Sequence, residues 1–271
     1  MYNLLKGKRG IIFGALDSKS IAWKVAERAH EEGATFVLTN APIAMRMGTI
    51  NELAEKTGSQ VIAADATSME DLENLVDQSV EILGGKIDFV LHSIGMSLNV
   101  RKKKHYTESN YDFTHKGFDI SALSFHRVMS ILYKKEAMSE WGSIIALTYM
   151  AAQRVFPDYN DMADNKAYLE SIARSFGYFF GRDQKVRVNT ISQSPTNTTA
   201  GSGVKGFDGF INYAEKMSPL GNATALECAD YTITMFSDLT KKVTLQNLFH
   251  DGGFSNMGVS TAVMSEFTDE K

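Results

Sequence analysis

Apolar residues in this chain come in short runs separated by stretches with helical spacing. Seven runs stand out: GIIFGA (10–15), TFVLTN (35–40), QVIAAD (60–65), DFVLHSIG (88–95), SIIALTY (143–149), VRVNTIS (186–192) and TLQNLFHDGG (244–253). Short and mostly bounded by turn or helix-start residues, they read as strands. Between the first two, SIAWKVAERAHEEG places Ile21, Val25 and Ala29 four residues apart, as on one helix face, and Gly33 can stop that helix. Strands alternating with helices predict a doubly wound α/β architecture, a parallel sheet with helices on both faces. Four prolines, no low-complexity tract and no internal repeat leave no obvious linker, so residues 1–271 are expected to form one domain.

Composition narrows the function. With 271 residues, 44% of them hydrophobic, a sizeable core can be buried. A net charge of −4 argues against nucleic acid as the main partner. The single cysteine, Cys228, excludes an internal disulfide and fits a reducing cytoplasm. The opening MYNLLKGKRGIIFGAL reads as a lead into the first strand and not as a signal peptide. No apolar stretch approaches the roughly 20 residues that span a bilayer. No metal site is expected.

Open sheets of this kind bind ligands beyond the carboxyl ends of their strands, so chemistry is expected just after each run. The first is followed by GALDSKSIA (14–22), which keeps Gly14 and sets Ser18 or Ser20 at a helix start, where backbone N–H groups can receive a diphosphate. An ordinary serine-capped turn is the plain alternative. The third ends in AADAT (63–67), where Asp65 can meet an adenine amino group or simply cap a helix. The fourth ends in HSIG (92–95), whose Gly95 allows close passage of a ligand or simply makes a turn. After the fifth comes Tyr149, and then YNDMADNK (159–166). On one continuous helix, seven steps of about 100° return Lys166 to within about 20° of Tyr159, some 10 Å further along. The two share a face without touching, and a bound sugar hydroxyl could bridge them. A buried lysine there is expected to lower the tyrosine's pKa.

Taken in order, Gly14 with Ser20-Ile21, Asp65, HSIG, Tyr149 with Y-x6-K, SQSPTNTTAGSGVKGF (192–207) and HDGGFS (250–255) resemble the enoyl-acyl carrier protein reductases. These are a divergent, Rossmann-like branch of the short-chain dehydrogenase/reductases. The likeness runs from about residue 3 to residue 258. It implies an enzyme of fatty acid elongation that reduces the trans-2 double bond of an enoyl thioester, by hydride transfer from NADH, with NADPH possible. Tyr149, Tyr159 and Lys166 take the catalytic positions. Gly14, Ser20, Ile21, Asp65, Ala66, Ser93, Ile94, Gly95, Lys166, Pro195, Thr196 and Thr198 take those of the cofactor site, along a segment 195–200. Ser97, Tyr149, Tyr159 and Phe207 take those of the substrate site, with a substrate-binding loop and helix over about 193–217. An acyl carrier protein partner and a homotetramer are implied as well. Two departures stand out: Asn165 where a small residue is expected, and Ser194-Pro195-Thr196 where glycine and an aliphatic residue are common.

Two rivals remain at this point. A carbonyl reductase of the wider superfamily usually has serine near position 149, and a non-catalytic dinucleotide-binding regulator needs no tyrosine–lysine set. Phe207, Phe210, Tyr213 and Met217 form an apolar stripe that fits core packing or the cover of an acyl chain. RKKK (101–104) fits a solvated loop or a docking patch for an acidic carrier protein. After the second strand, LTNAPIAMRMG (38–48) has no acid and only Arg46 as a cation, which favours NADH because a 2′-phosphate would lack a charged partner.

Overall fold

A computed structural model describes residues 2–199, 201, 204 and 206–268. Its strands are β1 (Arg9–Phe13), β2 (Thr35–Asn40), β3 (Gln60–Ala63), β4 (Ile87–His92), β5 (Met138–Thr148), β6 (Arg187–Gln193) and β7 (Asn247–His250). They form one sheet in the order β3-β2-β1-β4-β5-β6-β7, with every pairing parallel. The order reverses between β1 and β4, so the crossovers leave the sheet in opposite directions there and open a crevice above the strand ends.

Eleven α-helices are described: α1 (Ile21–Glu31), α2 (Pro42–Met47), α3 (Ile50–Thr57), α4 (Met69–Leu83), α5 (Leu98–Arg101), α6 (Tyr111–Phe118), α7 (Ser124–Lys134), α8 (Asp161–Phe179), α9 (Phe207–Met217), α10 (Ala225–Phe236) and α11 (Thr261–Met264). A π-helical segment, Asp119–Leu123, joins α6 to α7. Two-residue alternation along the strands feeds two cores. Ile11, Phe13, Val90, Ile144 and Val188 pack with α4, α7 and α8, whereas Ile12, Leu91, Ile145 and Ile191 pack with α1, α3 and α10. Helix α1 starts at Ile21, and Gly33 beyond it takes a left-handed φ of 89°. None of the described helices is long and apolar enough to cross a membrane.

Two local differences from the sequence reading matter. Strand β5 begins at Met138, five residues early, because a bulge at the Ile87/Phe89 register and Trp141 at φ 64° interrupt its pattern. More consequentially, Tyr159 does not lie on the helix that carries Lys166. It closes a 3₁₀ turn, Pro157–Tyr159, and α8 starts only at Asp161. Between them Asn160 sits at φ 44°, ψ −141°, a backbone region costly for any residue with a side chain. Its amide repays that cost: Nδ2 donates to Lys104 O (2.8 Å), and Oδ1 accepts from Asp161 N (2.6 Å) and Ser109 Oγ (2.9 Å).

Candidate active site

A cavity of about 230 Å³ opens above the carboxyl ends of β4, β5 and β6. Of the residues singled out from sequence, it is lined by Ile21, Ser93, Ile94, Gly95, Ser97, Tyr149, Tyr159, Lys166, Pro195, Thr196, Thr198 and Phe207. Four others stand apart from it. Gly14 and Ser20 shape the turn after β1 instead. A Cβ on Gly14 would lie 2.0 Å from Ser93 O, so its absence lets the ends of β1 and β4 close together. Ser20 Oγ donates to Asp17 O (2.7 Å) and accepts from Leu16 N (3.3 Å), bracing the same turn. Asp65 is exposed, its Oδ1 accepting from Thr67 N (2.9 Å) and Thr67 Oγ1 (2.8 Å), and Ala66 is buried beside it. These two belong to the rim beyond β3 and not to the cavity wall. Ala200 lies outside the described residues.

Lys166 is the cavity's buried cation. Its Nζ donates to Leu147 O (2.8 Å) at the end of β5. Burial pulls its pKa down to about 8, opposed by the charge of Glu170 one turn along α8. Gly95 faces it across the cavity, where a Cβ would stand 3.6 Å from Nζ. Tyr149 is buried against Tyr159, ring centroids 5.3 Å apart at 63°, and against Phe156 and Phe210. Its hydroxyl has no hydrogen-bond partner among the described residues. Burial raises the pKa of both phenols. The expected lowering of the Tyr159 pKa by Lys166 is therefore corrected: loss of water around the phenol raises it instead. Both tyrosines stay neutral at ordinary pH and can act as O–H donors.

The remaining departures resolve locally. Ser97 lines the cavity but spends its proton on Asp161, a buried carboxylate that also accepts from Asn99 Nδ2 (2.7 Å). Asn165 is fully buried against α6, where Gly117 makes room for it: a Cβ there would lie 3.3 Å from Asn165 Nδ2. Ser194 Oγ accepts from Ala223 N (2.9 Å) in the segment before α10, and Thr196 Oγ1 donates to Ser194 O (2.9 Å) within its own loop, so the wall is less polar than its composition. Across the cleft, Thr199 Oγ1 donates to Asp17 Oδ2 (2.6 Å) and links the segments after β6 and β1.

The apolar stripe divides. Ala214 and Met217 are core, whereas Phe207 and Phe210 line the cavity, and Tyr213 is exposed. Sequence reasoning passed over Met96, Val100, Met162 and Thr148, which line it too. Met162 was detectable, since it lies one turn before Lys166 on the same face of α8.

These features fit a bound nicotinamide dinucleotide. A parallel sheet with its crevice at the switch point, a buried lysine, paired neutral tyrosines and a glycine-opened wall define a dinucleotide-dependent reductase. A family model described as Enoyl-(Acyl carrier protein) reductase matches residues 14–255, and the chain belongs to that family. It is 33% identical over 258 residues to "Enoyl-[acyl-carrier-protein] reductase [NADH] 1" of Rhizobium meliloti (strain 1021), covering 94% of this chain and 93% of that protein. The crystal structure of a FabI–NADH complex from Alistipes finegoldii is similar at TM-score 0.97 and 62% identity, covering 100% of this chain and 95% of that one. FabI from Aquifex aeolicus VF5 shares 31% identity at TM-score 0.87, over 94% and 99% of the two chains.

Proposed function

We propose that this protein reduces the trans-2 double bond of an enoyl thioester carried on acyl carrier protein, using NADH. The observation that carries the reading is the convergence of Tyr149, Tyr159 and Lys166 on one cavity whose outer wall is apolar. When bound, the reduced nicotinamide supplies the hydride. Ile21, Ser93, Ile94, Gly95, Pro195, Thr196 and Thr198 would flank it, and Lys166 would hold its ribose. Tyr159 donates a hydrogen bond to the thioester oxygen as negative charge gathers there, and the Lys166 ammonium adds positive potential. Tyr149 packs against Tyr159 and would brace its ring beside the substrate. Phe207 and Phe210 of α9 would cover the acyl chain; of the expected substrate-binding segment 193–217, residues 200, 202, 203 and 205 lie outside the described residues.

The direct test is loss of NADH absorbance with crotonyl thioester, repeated with a ketone. Consumption with the ketone alone would favour a carbonyl reductase, and cofactor binding without turnover a regulator. Phe207→Ser should raise the KM for a long acyl substrate about tenfold while leaving that for crotonyl thioester nearly unchanged, since two fewer buried methylenes cost about 0.8 kcal/mol each. Equal rises for both substrates would assign Phe207 to the core.

Cofactor choice follows from the end of β2. Asn40 is committed at both ends, Nδ2 to Ala15 O (3.1 Å) and Oδ1 to Ala41 N (2.9 Å), while Arg46 is exposed on α2. A 2′-phosphate finds no prepared cation there. The efficiency with NADH should exceed that with NADPH more than tenfold and be unchanged in Arg46→Ala, with kcat/KM as the readout.

The carrier protein has a landing place. Arg101 lines the cavity mouth, and Arg101–Lys104 are all exposed, with no ion pair among the described residues. An acidic partner would be steered there. Exposed aromatics on α8, Tyr168, Tyr178 and Phe179, support a homotetramer. Cys228, buried and unpaired, is consistent with a cytoplasmic setting.

A further inference from the structure

Behind the cavity lies a second buried charge that the proposed chemistry leaves without a role. Glu170 is 3% exposed and sits on α8 four residues after Lys166, on the next turn of the same face. Its carboxylate accepts three hydrogen bonds from three separate elements. Thr148 Oγ1 (2.9 Å) and Asn247 Nδ2 (3.1 Å) meet Oε1, and Gln153 Nε2 (3.0 Å) meets Oε2. Thr148 is the last residue of β5 and precedes Tyr149. Gln153 closes the 3₁₀ turn Met150–Ala152 that follows Tyr149, and Asn247 opens β7.

We propose that Glu170 is a positioning residue for the reductase site: it clamps the strand end that bears Tyr149 onto α8 and sets a carboxylate one helical turn from the cofactor-holding Lys166. The inference rests on the assignment of Lys166 to the cofactor ribose. A buried carboxylate with three neutral donors and no hydrogen-bonded cation is expensive unless its charge is used nearby. Lys166 is where it is used, for burial drives that ammonium toward neutrality and Glu170 opposes it.

Of the other ionisable groups nearby, buried Asp251 faces Tyr149 and is held by Gly253 N (3.0 Å) and Ser255 N (3.0 Å), while Asp112, His115 and Lys116 of α6, Arg174 of α8, and Arg182 and Asp183 beyond it are exposed. His92, at the end of β4, is fully buried and neutral, its pKa lowered to about 3 by burial and by the charge of Lys166. Tyr149 and Tyr159 are neutral phenols. Asp161 is held by Ser97 and Asn99, and Asp164 accepts from Tyr106. From the helices packed on α8, Asp119 pairs with Arg127 and His126 meets Phe176 edge-on. Arg187 lies at the opposite end of β6, and Arg101 stands at the cavity mouth.

The test is the pH dependence of NADH affinity, read by fluorescence titration alongside thermal melting. In the unaltered protein, affinity should fall as pH rises through about 8. In Glu170→Gln the fall should begin about one pH unit lower, because an opposite charge within a helical turn is worth at least that much. Gln153→Ala should lose melting temperature and leave the alkaline limb in place. Should Glu170→Gln not fold, Glu170→Met removes the charge while refilling the volume, and should show the same lowered limb. An unmoved limb in whichever of these variants folds would make Glu170 a scaffold residue only and overturn the proposal. No alkaline limb even in the unaltered protein would overturn the assignment of Lys166, and this proposal with it.

Discussion

Tyr159→Phe should bind NADH as tightly as the unaltered protein and turn over at least a hundredfold more slowly. The substitution removes one hydroxyl and leaves the ring that packs on Tyr149 at 5.3 Å. Burial keeps this phenol protonated, so it is available as a donor throughout the working pH range. A preorganised donor to a developing oxyanion is worth about 3 kcal/mol, which is the expected loss in rate. The cofactor titration separates the two readings of Tyr159. Affinity lost in parallel with rate would make it a structural support of the cofactor site, and an unchanged rate would remove it from the chemistry.

Lys166→Ala should lose both functions: NADH affinity by tenfold or more and turnover by about a thousandfold. A charge-assisted hydrogen bond contributes about 1.5–3 kcal/mol, and its loss is felt by the ribose first. Tight NADH binding by this variant would refute the ribose role. A second readout needs no ligand. The Lys166 pKa is lowered from 10.5 to about 8 on folding, so between these values the folded chain binds fewer protons than the unfolded one. Stability contributed by this group is therefore full above 10.5 and lost as pH falls through about 8. The unliganded protein should gain stability as pH rises from about 8 toward 10, where the two tyrosines begin to act in the opposite sense. Denaturant melts of Lys166→Met should lack that rise.

Much of this was legible because the strands announce themselves. The run 35–40 is β2 residue for residue, and the chemistry lies past the strand ends as open-sheet topology requires. What escaped is local. Y-x6-K reads as seven steps of one helix only if nothing interrupts it, and Asn160 does, since asparagine both tolerates positive φ and caps a helix start. The pair Asn-Asp before an apolar pattern was a visible cap signal. Asp65 could not be placed by type alone, because a carboxylate that binds a base and one that closes a turn have the same spelling. The direction of the tyrosine pKa depends on how much water surrounds the ring, a property of the assembled cavity that residue order does not carry. Phe207 and Phe210 share a stripe with Met217, yet the helix rotates the first two over the cavity and the last into the core.

The sheet's two borders are its shortest strands. β3 and β7 have four residues each, while the longer β5 and β6, of eleven and seven, lie inside. An exposed strand edge is a template on which a foreign chain can add, and four residues give it only about 13 Å of ladder. The long apolar runs best suited to cross-β stacking are thus enclosed on both sides and become adhesive only when the sheet comes apart. Aggregation of this protein should accordingly follow its unfolded population, rising with denaturant or heat in step with global melting, and not begin from the native surface.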